Sequence, residues 1–201
     1  MSSVRRYPPA SGGAAPRPGA KIADAAELRR FMAGIADRHR GEPILFLCIG
    51  TDRSTGDSLG PWVGTLLRSA GFPPAAVIGT LESPCDADRL PELLASLSAD
   101  ATTIAIDACL GRPEHIGKFA VAEEALEPAK AVGKALPPVG TYSVAGIVGA
   151  GGPKPYWTLQ TASLRRVLGM ALDIAQAAAA EWRPEADLQS WRAIFYNSGS
   201  S

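Results

Sequence analysis

The spacing of apolar positions changes period several times along the chain. Leu28, Phe31, Met32, Ile35 and His39 recur at helical intervals and form one stripe. Asp24, with Glu27 three residues later, gives that helix a capping-box start, and His39 at the far end suits the helix dipole. From Pro43 the pattern becomes continuous: residues 44–49 (ILFLCI) read as a strand buried on both faces. Residues 75–81 and 102–106 predict two further strands. Helical stripes stand between these strands, Val63, Leu66 and Leu67 in one, Leu90, Leu93, Leu94 and Leu97 in the other. Strand, helix, strand, helix, strand at this spacing predicts an α/β domain with a mainly parallel sheet. Residues 118–122 and 141–148 read as additional strands. Leu164, Val167, Leu168, Ala171, Leu172 and Ala175 mark a long closing helix.

Residues 1–20 concentrate Pro, Gly, Ser and Ala, the composition of a disordered leader. Residues 21–182 read as a single domain, and 183–201 as a tail whose Leu188, Trp191 and Phe195 form a short amphipathic segment expected to pack back on the domain. A length of 201 residues suits one sizeable domain. Twenty basic residues cancel twenty acidic ones, which removes the field that would hold nucleic acid or anionic lipid. Cys48, Cys85 and Cys109 are odd in number and lack CxxC spacing, against a disulfide scaffold or a zinc ribbon. The apolar run at 44–49 is too short to span a bilayer, and no apolar stretch follows Arg5 and Arg6 as in a signal peptide. The expectation is a cytoplasmic protein with no nucleic-acid or membrane partner.

Ligands of an open parallel sheet bind beyond the carboxyl ends of its strands. The residues following each predicted strand are therefore the informative ones: Asp52, Arg53 and Asp57 after the first, Glu82 after the second, Asp107 and Arg112 after the third. The first loop is no P-loop, because its glycines are one residue too far apart and Asp57 takes the relative place of the lysine. Pro61 is tolerated only in a helix's first turn, so a helix starts between residues 57 and 60 with Asp57 at or just before it. Singly, Asp57 reads as an N-cap and Asp107 as a loop residue bonding backbone amides. Brought to one rim, two carboxyls either share a proton, one acting as base and the other as acid, or ligate a divalent metal. A catalytic zinc would want histidine, and the chain has only His39 and His115. Cys48 reads as inert core, Cys85 and Cys109 lack a histidine partner in sequence, and no G-x-S-x-G elbow is present. Arg53 and Arg112 are candidates to orient a substrate carboxylate or backbone, with Asp52 and Glu82 on the same substrate-facing rim. No resident cofactor or metal is expected.

The stretch 48–61, CIGTDRSTGDSLGP, resembles the signature of the YyaC-type spore protease family; 106–112 (IDACLGR) and 136–140 (LPPVG) resemble two more of its segments. Gly146-Ile-Val148 and Leu159-Gln160 extend the similarity, which covers roughly residues 43–172. The chain departs from that pattern at 128–132, 141–143 and 161–163. The family is similar to the spore germination protease and the hydrogenase maturation endopeptidases. The resemblance implies a three-layer α/β/α domain of phosphorylase/hydrolase-like type and an aspartate-dependent endopeptidase acting on a protein or peptide substrate. Asp57 and Asp107 match the two essential aspartates of the germination protease. In the maturation endopeptidases the corresponding carboxylates bind nickel in the partner protein being processed. The same resemblance implies small acid-soluble spore proteins as substrates and the forespore or spore core as location. The alternative is a catalytically inactive peptide- or metal-binding module that keeps the fold.

Overall fold

A computed structural model describes residues 16, 19–95, 101–128 and 137–191. Most of the predicted leader, the departures at 129–132, Leu136, Leu97 and Phe195 lie outside the described residues.

The first helix, α1 (Ala25–Arg38), starts with the reciprocal capping box: the Glu27 amide donates to Asp24 Oδ1 at 2.8 Å and the Asp24 amide to Glu27 Oε2 at 3.0 Å. Leu28, Met32 and Ile35 are its buried face. His39 ends it, its ring nitrogens paired with Glu42 Oε2 at 2.7 Å and the Tyr142 hydroxyl at 2.8 Å, so it is a helix-end residue tied to the sheet.

Six strands form one sheet: β1 (Lys21–Ala23), β2 (Ile44–Cys48), β3 (Val77–Ile78), β4 (Thr102–Gly111), β5 (Phe119–Ala122) and β6 (Tyr142–Ala150). Their order is β1-β5-β6-β4-β2-β3. β3, β2, β4 and β6 run parallel; β5 is antiparallel to β6, and β1, antiparallel to β5, closes that edge in the direction of the other four. Side chains alternate across the strands. Phe46, Cys48, Ile104 and Ile106 therefore meet α1, α2 (Leu59–Ser69) and α5 (Leu164–Trp182) on one face. Leu47, Ile49 and Ala105 face the other way, where Leu90 of α3 (Leu90–Ala95), Leu126 and Val139 cover them. The result is the expected α/β/α layering with one thick and one thin helical layer. In the tail, Leu188 is buried and Trp191 packs on the core, as anticipated.

The structure departs from the sequence expectations in four elements. The strand over 75–81 shrinks to the two residues of β3, because the Pro73-Pro74 pair sets up a 3-10 turn over Pro74–Ala76 and Gly79 turns the chain at φ 89°. β4 does not stop at Ile106 but runs to Gly111, held by β6 along its length. β1 was not anticipated, since three residues are too few to show a period. Nor was α4 (Pro155–Gln160), whose signal was Pro155 at the first helical position.

α2 lies against the sheet through small residues. A Cβ at Gly64 would fall on the backbone carbonyl oxygen of Gly79, which cannot swing aside like a side chain. Gly64→Ala is therefore expected to cost about 1–3 kcal/mol, roughly 3–10 °C in Tm. Gly152→Ala, with open space around the added methyl, serves as the near-neutral control in the same thermal melts.

Candidate active site

The position of Asp107 follows from unequal strand lengths. β2 ends at Cys48, opposite Ile106, while β4 continues. Asp107 is thus the first residue of β4 beyond the end of β2, still paired with Ala145 of β6. It stands inside a central strand rather than on the turn after one, which corrects the loop-residue expectation. The chain leaving β2 makes one last sheet bond, Ile49 N–H to Ile106 O at 2.7 Å, and turns at Gly50. Gly50 has φ 143°, and a Cβ there would meet the carbonyl oxygen of Asp57, so glycine is required on both counts. Thr51 N–H donates to that same Asp57 carbonyl at 3.1 Å and closes residues 51–57 into a compact loop.

Asp57 lies one position before Ser58, which holds the N-cap position of α2 without a side-chain capping bond, its hydroxyl donating to Thr55 O instead. The Asp57 side chain does not cap: neither carboxylate oxygen has a hydrogen-bond partner among protein groups, and the residue is 0% exposed. A carboxyl with this environment is expensive to ionise, and burial raises its pKa to about 7. Ser54 Oγ, buried nearby and itself without a partner, tempers the rise although the two fall short of hydrogen-bonding geometry. Asp107 is also buried, and its pKa is pushed well up, first by burial and then by the charge of Asp57; the Ala108 amide, donating to Oδ1 at 2.7 Å, opposes this. Burial thus disfavours ionising either aspartate, and the charge of Asp57 acts on Asp107 as well.

The other predicted site residues separate. Asp52 is exposed and lines a cavity of about 560 Å³ beside the loop; Arg53 and Ser54 line it too. Arg53 is engaged by Asp86 at 3.1 Å and by the Thr51 hydroxyl at 3.2 Å, joining the loop to the segment before α3. Glu82 is exposed next to Leu81, a cavity residue, without lining the cavity itself. Arg112 is exposed past the end of β4, roughly 16 Å of strand from Asp107, and does not line the cavity. His115 sits in a 3-10 turn beyond it. Burial pushes the Cys85 thiol up to about 12 and those of Cys48 and Cys109 up as well, so all three are poor thiolates at neutral pH. Among the described residues no three His, Cys, Asp or Glu side chains converge as a metal cluster. The sequence reading missed the far wall of the cavity, Trp62, Trp157 and Leu164. Trp157 rides on α4, which is fastened to the loop by Gly56 N–H donating to Leu159 O at 2.8 Å.

The model of the family described as "Protein of unknown function (DUF1256)" matches residues 21–177. "Uncharacterized protein YyaC" of Bacillus subtilis (strain 168) is 37% identical over 170 residues, 81% of this chain and 83% of that protein. Among solved structures, a NiFe hydrogenase maturation protease HycI from Thermococcus kodakarensis KOD1 is similar with a TM-score of 0.46 and 18% identity, over 72% of this chain and 98% of that one.

Two outcomes follow from the site's electrostatics. A carboxyl whose pKa is higher in the folded than in the unfolded state makes the folded protein bind more protons between those values, so stability falls as pH rises through that window. For Asp57 the window runs from about pH 4 to about pH 7, and the loss is at most about 4 kcal/mol. Asp57→Asn should flatten this part of the Tm–pH curve and melt no lower than wild type above about pH 7. EDTA should leave Tm unchanged, since no described cluster supplies the ligands of a structural metal.

Proposed function

We propose that this chain, which belongs to the DUF1256 family, is a peptidase that hydrolyses a peptide bond in a protein substrate by means of Asp57 and Asp107. The observation that carries the reading is the coupled, buried carboxyl pair: Asp57 with a pKa near 7 and Asp107 raised further by its neighbour's charge. Such a pair, once it has lost its first proton, presents a base and an acid together. In the forward step Asp57 takes a proton from water as its oxygen bonds the scissile carbonyl carbon, and Asp107 gives its proton to the carbonyl oxygen. In the second step the C–N bond breaks, the amine nitrogen takes the proton held by Asp57, and Asp107 recovers one from the gem-diol. Asp52 and Arg53 flank the substrate's approach along the loop, and Glu82 extends the acidic rim. Small acid-soluble spore proteins, met in the forespore or spore core, are the first substrates to try.

A second reading, a non-catalytic peptide-binding module, draws on the closure of the site: Asp57 is 0% and Asp107 5% exposed, and neither lines the cavity. The two readings diverge on one experiment. Incubation with small acid-soluble spore proteins and with a proteome-derived peptide library, followed by mass spectrometry of fragments, should show cleavage by wild type. Asp107→Asn and Asp57→Asn should each lower it by at least about a hundredfold without lowering Tm. Turnover should rise as pH climbs through about 7, with apparent pKa values belonging to the pair. No cleavage at any pH, or full cleavage by Asp107→Asn, removes the peptidase reading.

A further inference from the structure

We infer that the cavity beside the 51–57 loop is a subsite for a bulky apolar side chain on an extended polypeptide, an assignment of substrate class that rests on the peptidase reading. Among the described residues the exposed large hydrophobics are Tyr156, Trp157 and Leu164, at 39%, 63% and 54%. Two of these three line the same cavity, with Trp62 and Leu81 also in its wall. Leu164 opens a helix whose remaining apolar side chains are largely buried, so its exposure is local to this wall. Large apolar groups gathered around a concavity in water favour an apolar occupant.

The opposite wall is the loop that carries Asp57. Asp52 and Thr55 line the cavity there, hydrogen-bonding groups suited to the amides of an extended chain. Arg53, the cation of this wall, is paired with Asp86, and Asp52 is exposed beside it, so the wall offers no net positive charge to select an acidic side chain. A volume of about 560 Å³ holds one large side chain with its flanking backbone. The two walls are held in fixed relation, because Leu159 of α4 is fully buried and its carbonyl accepts the Gly56 amide at 2.8 Å. A side chain seated against Trp157 therefore sits at a set offset from the bond presented to Asp57 and Asp107. Trp157 and Leu164 become specificity-determining residues, neither touching the reacting atoms.

The test is binding, read by fluorescence anisotropy of fluorescein-labelled, C-amidated pentapeptides Gly-Ser-X-Ser-Gly with X as Leu, Phe, Lys, Glu or Gly. The full chain should bind the Leu and Phe peptides at least about tenfold more tightly than the Gly and Glu peptides. Trp157→Ala and Leu164→Ser should each remove most of that preference, and because both side chains are exposed Tm should stay within a degree or two of wild type. Equal binding of all five peptides overturns the assignment. So does a Lys preference abolished by Asp52→Asn, or an apolar preference that survives both wall variants. Apolar-selective binding without cleavage of any peptide or protein retires the peptidase reading and leaves the subsite. Cleavage indifferent to X retires the subsite and leaves the peptidase.

Discussion

Holding two carboxyl groups out of water at the place where one strand stops and its neighbour continues constrains everything built around them. β4 has to outrun β2, so that Asp107 emerges past Cys48 while β6 still satisfies its backbone. The chain leaving β2 has to fold back at once, which the glycine at 50 permits, and Thr51 closes the loop on the Asp57 carbonyl. α2 then starts directly after Asp57, with Ser58 taking the capping position. An isolated buried carboxylate is so unfavourable that it neutralises by shifting its pKa. Here two such groups are coupled, and the surrounding sheet and helices supply the stability that makes this tolerable.

Much of this was legible because the signals were local or dense. The Asp24–Glu27 box specifies a helix start through two hydrogen bonds within four residues, and the structure forms both. Residues 44–49 read as a doubly covered strand, given six consecutive apolar side chains, and β2 occupies Ile44–Cys48. Pro61 bounded the start of α2 to within a turn, since a proline further in would break it. The pairing of Asp57 with Asp107 was inferred from separate strand ends converging on one rim; in the structure both residues are buried.

What escaped the sequence depended on distant partners. Nothing within 106–112 says that β4 continues, because the pairing that prolongs it belongs to residues 142–150. The same holds for the burial of Asp57: an aspartate before a helix is normally solvated, and nothing in its own loop announces that this one is fully buried. Glu82 and Arg112 illustrate the converse. Both follow predicted strands, but one strand shrinks and the other lengthens, and the residues end up off the cavity. α4 was missed because six residues show too little periodicity, although Pro155 at its first position was a readable start signal.

The same end of the sheet inverts ordinary solvation twice. Polar atoms of Ser54 and Asp57 are buried without partners, and on the cavity that Ser54 lines, Trp157 and Leu164 stand exposed. Either inversion alone is a common imperfection. Their coincidence around one loop is harder to assign to folding, because exchanging the two environments would favour the folded state on both counts. A buried hydrophobe at 57 and a polar side chain at 157 would each be better solvated than what the chain has. A sequence that follows local folding rules through its caps, strands and closing helix departs from them at one loop and the cavity beside it, the pattern on which the proposed site rests. The bond from the Gly56 amide to the Leu159 carbonyl ties the two departures together, joining the helix that carries Trp157 to the loop that carries Asp57.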